Sequence, residues 1–119
     1  MAKKILVIDD DPEIVKYLVN LFQDNGYQTI AAYDGVQGFD LAKSEKPDLI
    51  TLDMDMPQRD GTMFYVKFRK EPELEHIPII VISGIGGRPP AMKKDMVTVH
   101  KPFEPAQLLS LVKDFIEKK

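Results

Sequence analysis

Short apolar runs alternate along the chain with stretches in which apolar positions recur every three or four residues. The first run, Ile5-Leu6-Val7-Ile8, is apolar at consecutive positions, as expected of a strand covered on both faces. Asp11 before Pro12 reads as an N-cap followed by proline at the first helical position. Ile14, Leu18, Leu21 and Phe22 then recur at helical spacing, and Asn25-Gly26 supplies the stop. Residues 27–32 predict a second, weaker strand at a sheet edge. Asp34 is placed to cap a helix with Val36, Phe39 and Ala42 on its inner face, ending before Pro47. Leu49-Ile50-Thr51-Leu52 predicts a third strand. Asp60-Gly61 opens a helix to about Lys70, with Asp60 as its cap and Pro72 as its limit, and Ile79-Ile80-Val81-Ile82 predicts a fourth strand.

The pattern then falters. Gly84, Gly86, Gly87, Pro89 and Pro90 oppose a long helix, so the segment from Gly84 to Asp95 has room for one or two turns at most, between Pro90 and Lys94. Val97-Thr98-Val99 predicts a short fifth strand, and Glu104-Pro105 opens a last helix. Leu108, Val112 and Phe115 form its apolar stripe, with Leu109 and Ile116 beside them. Strands alternating with helices argue for an α/β fold, a doubly wound five-stranded parallel sheet with right-handed crossovers, helices on both faces and a fourth helix that is short or degraded. Ligands in such sheets bind beyond the carboxyl ends of the strands.

Composition narrows the class. A chain of 119 residues, 44% hydrophobic and 29% charged, predicts one globular domain with no separate output domain. The absence of cysteine excludes disulfides, thiolate nucleophiles and Cys-based zinc sites. Two histidines, His76 and His100, are too few and too scattered for a metal motif. His76 reads as a loop side chain and His100 as lining a strand end. The apolar runs are strand-sized, far short of a membrane span, and residues 1–4 lead into the first run without a signal-peptide core; a cytoplasmic protein is expected. A net charge of −3 gives no general pull toward nucleic acid. Lys67 and Lys70, Lys93-Lys94 and Lys118-Lys119 read as solvated helix faces.

The chemistry gathers at the predicted strand ends: Asp9-Asp10-Asp11, Asp53, Ser83 and Lys101. Carboxylates brought to one edge repel one another unless they protonate or bind a cation. An all-oxygen cluster without His or Cys suits a hard ion, Mg²⁺ above all, which shares its ligands with waters and phosphate oxygens. A carboxylate can attack a phosphoryl group when metal and cationic groups offset the charge of the transferring oxygens. Asp53, at the end of the central strand, is the best-placed nucleophile. Lys101 supplies a point charge and Ser83 a hydroxyl donor. Asp11 is explained by capping and is not counted as a ligand.

In order along the chain, Ile-Leu-Val-Ile-Asp-Asp-Asp-Pro (5–12), Pro-Asp-Leu-Ile-Thr-Leu-Asp-Met-Asp-Met-Pro (47–57), Asp60-Gly61, Ile-Val-Ile-Ser-Gly (80–84) and His-Lys-Pro-Phe (100–103) resemble the motifs of response regulator receiver domains. The resemblance implies a flavodoxin-like fold with strand order 2-1-3-4-5. It also implies Asp53 as phosphoacceptor and Asp9 and Asp10 as the acidic pocket. Mg²⁺ would be held by Asp10, Asp53 and the backbone carbonyl of Asp55, and Lys101 would pair with the phosphoryl group. Further implications are a cis Lys101–Pro102 bond and a movable hydroxyl at Ser83. The implied partners are a sensor histidine kinase or a histidine phosphotransfer protein, docking near Ile14, Val15 and Pro102-Phe103, and a downstream protein target. Neither nucleic acid nor membrane is implied.

The chain departs from that family at the fifth strand, where Thr98 stands in place of an aromatic switch residue, and in the Gly/Pro-rich stretch that replaces the fourth helix. Phosphorylation is therefore expected to act through Ser83 and Gly84 on residues 84–95. Two other functions compete. Asp53-Met54-Asp55, a later serine and a later lysine are also similar to haloacid dehalogenase-type phosphatases, but those place further metal acids after the lysine, and only 18 residues follow Lys101. A pseudo-receiver, keeping the fold as an interaction module without phosphorylation, is favoured by Thr98 and opposed by the intact acids, serine and lysine. An acid at Asp55 is placed to orient or repel a hydrolytic water. Asp55→Asn is accordingly expected to change the phosphoryl lifetime, and an unchanged dephosphorylation rate would remove that idea.

Overall fold

The strands that are apolar at nearly every position occupy the centre of the sheet, and the mixed ones its edges. The computed structural model describes residues 2–53, 60–83, 97–101 and 103–117. The elements are β1 (Lys4–Ile8), α1 (Pro12–Asp24), β2 (Gln28–Ala32), α2 (Gly35–Glu45), β3 (Leu49–Asp53), α3 (Asp60–Arg69), β4 (Ile79–Ser83), β5 (Val97–His100) and α4 (Pro105–Glu117). All neighbouring strands pair in parallel, in the order β2-β1-β3-β4-β5. This is the doubly wound α/β sheet that the alternation predicted, with four helices among the described residues. The short or degraded helix expected between β4 and β5 falls on residues 84–96, which lie outside them.

The sheet separates two apolar layers. On one face Leu6, Ile8, Ile50, Leu52 and Val81 pack against Ala42 of α2 and Phe64 and Phe68 of α3. On the other, Ile5, Val7, Leu49, Ile80 and Ile82 pack against Val15, Leu18 and Phe22 of α1 and Leu108, Val112 and Ile116 of α4. Burying each such side chain contributes about 1.5–3 kcal/mol relative to leaving it in water, so two filled layers fix the strand register firmly. That register pairs Ile8 with Ala32 and Leu52, Asp53 with Ile82, and Ser83 with His100. The carboxyl ends of the strands therefore stand level.

Helix boundaries follow local chemistry. Asp11 accepts the Glu13 amide at 3.0 Å and caps α1, with Pro12 at its start. At the other end Gly26 takes φ +90°, and the Tyr27 amide returns to the Phe22 carbonyl. Asp34 caps α2 by accepting the Gln37 amide at 2.7 Å. That helix ends on Lys46, whose left-handed φ of 46° is unusual for a residue with a Cβ.

Three predicted helix faces need correction. In α2 the sheet-facing residues are Gly35, Gly38 and Ala42, whereas Val36 is 66% exposed and Phe39 half-buried. The cause is close approach: a Cβ at Gly38 would stand 2.6 Å from Ile8 Cδ1. In α1, Val15 lies in the core with Leu18 and Phe22, not at a surface, and Ile14 and Leu21 are half-buried. In α4 the buried stripe ends on Ile116, with Phe115 at its margin. Helical spacing left these alternatives one residue apart, and the tilt of each helix on the sheet decides between them.

Gly38→Leu is expected to lower stability in urea unfolding by about 1–3 kcal/mol through overpacking against Ile8. Lys46→Gly is expected to raise it by about 0.5 kcal/mol by removing the left-handed strain. A neutral Gly38→Leu would mean that α2 can lift from β1 without loss.

Candidate functional site

The level strand ends bring five residues of three chemical kinds to one edge: three carboxylic acids, a lysine and a serine. Asp9 follows β1 and is 1% exposed; Asp53 closes β3 and is 3% exposed; Asp10 beside them is exposed. Carboxylate oxygens of Asp9, Asp10 and Asp53 all lie within 4.8 Å of one another. Lys101, just past β5, places its Nζ 3.1 Å from Asp53 Oδ1. Ser83 ends β4, buried, and its backbone carbonyl accepts the Lys101 amide at 2.9 Å. That backbone bond ties the ends of β4 and β5 together and fixes where the lysine departs. Asp11 stays out of the cluster, its carboxylate committed to capping α1.

The electrostatics are unbalanced. Two unit charges 4.8 Å apart repel by roughly 3.5 kcal/mol at an effective dielectric near 20. With all three acids ionised, one ammonium group leaves a net charge of −2 at this edge. Asp9 responds most: burial raises its carboxyl from 3.8 to about 7, the Asp11 amide opposing, the Asp53 charge adding to the rise and Lys101 reducing it. Asp9 Oδ1 accepts the Asp11 amide at 2.9 Å, while Oδ2 is buried with no hydrogen-bond partner among the described residues. An orphaned carboxylate oxygen, an all-oxygen donor set and a charge deficit of two together fit a hard divalent cation such as Mg²⁺.

The remaining expected residues are distributed as follows. Thr98 lies in β5 away from the carboxylates, half-buried, its Oγ1 buried and unpartnered among the described residues. Asp55, with its backbone carbonyl, and Pro102, with its peptide bond, lie outside the described residues. The motif pattern gave no notice of Tyr17, which is exposed on α1 with its ring centroid 6.3 Å from that of Phe103, close after Lys101. An aromatic ring among the polar positions of α1 was the available signal. A cleft of about 520 Å³ lies elsewhere, lined by residues including Tyr65, Arg69, Ile77, Ile79 and Val97. It opens at the amino ends of β4 and β5, at the opposite end of the sheet from the acids. No described helix is long and apolar enough to cross a membrane.

A doubly wound parallel sheet with acids and a lysine converging at its carboxyl edge is the architecture of a class of signalling domains, and the comparisons agree. The response regulator receiver domain family matches residues 5–113. The chain is 36% identical over 112 residues to Protein Rrf1 of Nitratidesulfovibrio vulgaris, covering 94% of this chain and 81% of that one. It is 26% identical over 125 residues to the polar-differentiation response regulator DivK of Brucella anthropi, covering 98% of each. Among solved structures, the chemotaxis response regulator CheY4 of Vibrio cholerae matches with a TM-score of 0.83 at 26% identity, over 97% of this chain and 99% of that one. The chain belongs to the response regulator receiver domain family, and its strand order is the one that the resemblance implied.

The raised carboxyl of Asp9 has a consequence for stability. Between about pH 4 and pH 7 the folded chain holds a proton that the unfolded chain has released. Stabilisation from this group is thus complete below about pH 4 and is lost as pH rises through about 7. In Mg²⁺-free urea titrations from about pH 5 to 8, Asp9→Asn is expected to flatten this decline and to be the more stable protein at the alkaline end. A variant with the wild-type slope would show that Asp9 does not carry it.

Proposed function

We propose that this chain accepts a phosphoryl group on Asp53 from the phosphohistidine of a sensor histidine kinase or a histidine phosphotransfer protein. It then signals in the cytoplasm by changed binding to a downstream protein. The observation that carries this reading is the buried Asp53 carboxylate, held 3.1 Å from Lys101 inside a three-carboxylate cluster. A buried acid among acids is costly, and the arrangement becomes favourable when a divalent cation completes it and offsets the charge of an incoming phosphoryl group.

In this chemistry a carboxylate oxygen of Asp53 forms a bond to phosphorus. The bond from phosphorus to the donor imidazole nitrogen breaks, leaving its electron pair on that nitrogen. Lys101 holds its charge at the acceptor and meets the phosphoryl oxygens as they arrive. Ser83 offers a hydroxyl from the end of the neighbouring strand. Asp9 and Asp10, with Asp53 and the backbone carbonyl of Asp55, would hold Mg²⁺, which supplies charge neutralisation for the transferring group. The protein is both catalyst and substrate for a single transfer, so it is not an enzyme in the turnover sense. The acidic pair directly follows β1 and precedes the acceptor along the chain, which distinguishes this site from that of a dehalogenase-type phosphatase.

Intact mass after incubation with acetyl phosphate and Mg²⁺ tests the reading. The expected result is a gain of one phosphoryl group that is absent in Asp53→Asn and absent when Mg²⁺ is chelated. A folded wild-type chain that gains no mass would instead make this an interaction module that keeps the fold without the chemistry, as the loss of an aromatic residue at Thr98 would then suggest.

A further inference from the structure

Two buried threonine hydroxyls, Thr51 Oγ1 and Thr98 Oγ1, have no hydrogen-bond partner among the described residues. Thr51 stands in the middle of β3, paired in the ladder with Val7 and Ile80, so its strand neighbours offer no polar side chain. Thr98 is placed differently. Its neighbour Val99 packs in the layer with α1 and α4, so strand alternation turns Thr98 to the opposite face. Its register partner Val81 belongs to that face's core. Ser83, two residues beyond Val81, shares the face, and its own register partner is His100, two residues beyond Thr98. Ser83 and Thr98 are therefore diagonal neighbours on adjacent parallel strands, about 8 Å apart from a strand spacing of about 4.8 Å and a rise of about 3.3 Å per residue. Two hydroxyls carried on their Cβ atoms and turned toward each other come within hydrogen-bonding distance after a shift of about 2–3 Å.

We propose that Thr98 is a positioning residue for Ser83: when Asp53 carries a phosphoryl group, the Thr98 hydroxyl donates to Ser83 Oγ while Ser83 donates to a phosphoryl oxygen. The inference rests on Asp53 as phosphoacceptor. A hydroxyl gives one proton and accepts at two lone pairs, so Ser83 can serve both partners at once. The anion at the end of the chain orients both O–H groups toward itself, and each bond strengthens the other. Thr98 thereby exchanges an unmet buried hydroxyl for a satisfied one only when the acidic edge is occupied. Because the Ser83 carbonyl already holds the Lys101 amide, the ends of β4 and β5 respond together. A hydrogen-bonded pair would take the place of a bulky ring as the link between the phosphoryl group and β5.

The test is binding of beryllofluoride with Mg²⁺, a phosphoryl mimic, to the full chain and its variants. Thr98→Val keeps the shape and removes the hydroxyl. It is expected to be as stable as wild type or more so without the mimic, yet to bind the mimic about three- to tenfold more weakly. Thr98→Ser, which keeps the hydroxyl, is expected to bind like wild type. In a Ser83→Ala background Thr98→Val should cause no further loss, because the shared bond is already gone. Wild-type affinity in Thr98→Val, or an equal loss in the Ser83→Ala background, overturns the hydroxyl pair and leaves Asp53 as acceptor untouched. A wild-type chain that binds no beryllofluoride overturns the acceptor reading and this inference with it.

Discussion

The mutual repulsion of three carboxylates held within 4.8 Å at one sheet edge is the constraint around which this structure is arranged. Lys101 beside Asp53 and the Asp11 amide on Asp9 offset only part of it. The gathering is imposed by the strands beneath: β1 and β3 are buried along nearly their whole length and paired in register, and the acids simply occupy the next positions out. Apolar burial in the two layers, at about 1.5–3 kcal/mol per large side chain, outweighs a repulsion of a few kcal/mol per pair. The chain thus holds an excess of negative charge in place without collapsing, and in the proposed chemistry that excess draws a cation, which with Lys101 then offsets the charge of the phosphoryl group.

The rest of the molecule serves this arrangement at different distances. Lys101 reduces the excess, and the backbone bond from its amide to Ser83 sets its starting point. Asp11, next to two site acids, is withdrawn from the cluster by its work as a helix cap. Gly38 lets α2 lie against Ile8, the residue immediately before Asp9. A larger residue there would push on the strand end that carries the most buried acid.

Much of this could be read from the residues in order. Consecutive apolar runs identified the buried strands, since a two-sided strand needs no alternation, and the acids, serine and lysine at their ends marked the site before any coordinates. What escaped was helix phase. Val36 outweighs Gly38 on any hydrophobic pattern, but the space over Ile8 admits only hydrogen, so the glycine faces inward and the valine faces water. Val15 against Ile14 and Ile116 against Phe115 are the same kind of choice, settled by how each helix sits on the sheet. Burial of Asp9 also escaped: the motif places the acid but cannot say that one of its oxygens is left without a partner among the described residues. Thr98 was visible as a departure, while its place diagonal to Ser83 required the β4–β5 register.

The central claim is that the three carboxyl groups gathered at this edge together take up one divalent cation. Titration of the metal-free chain with Mg²⁺, followed by amide chemical shifts, tests it most directly. The account predicts saturable binding at one site, with the largest shifts at Asp9, Asp10, Asp53 and Lys101, and its loss in Asp10→Asn and in Asp53→Asn. Shifts spread over the surface, or binding that survives both substitutions, would contradict it.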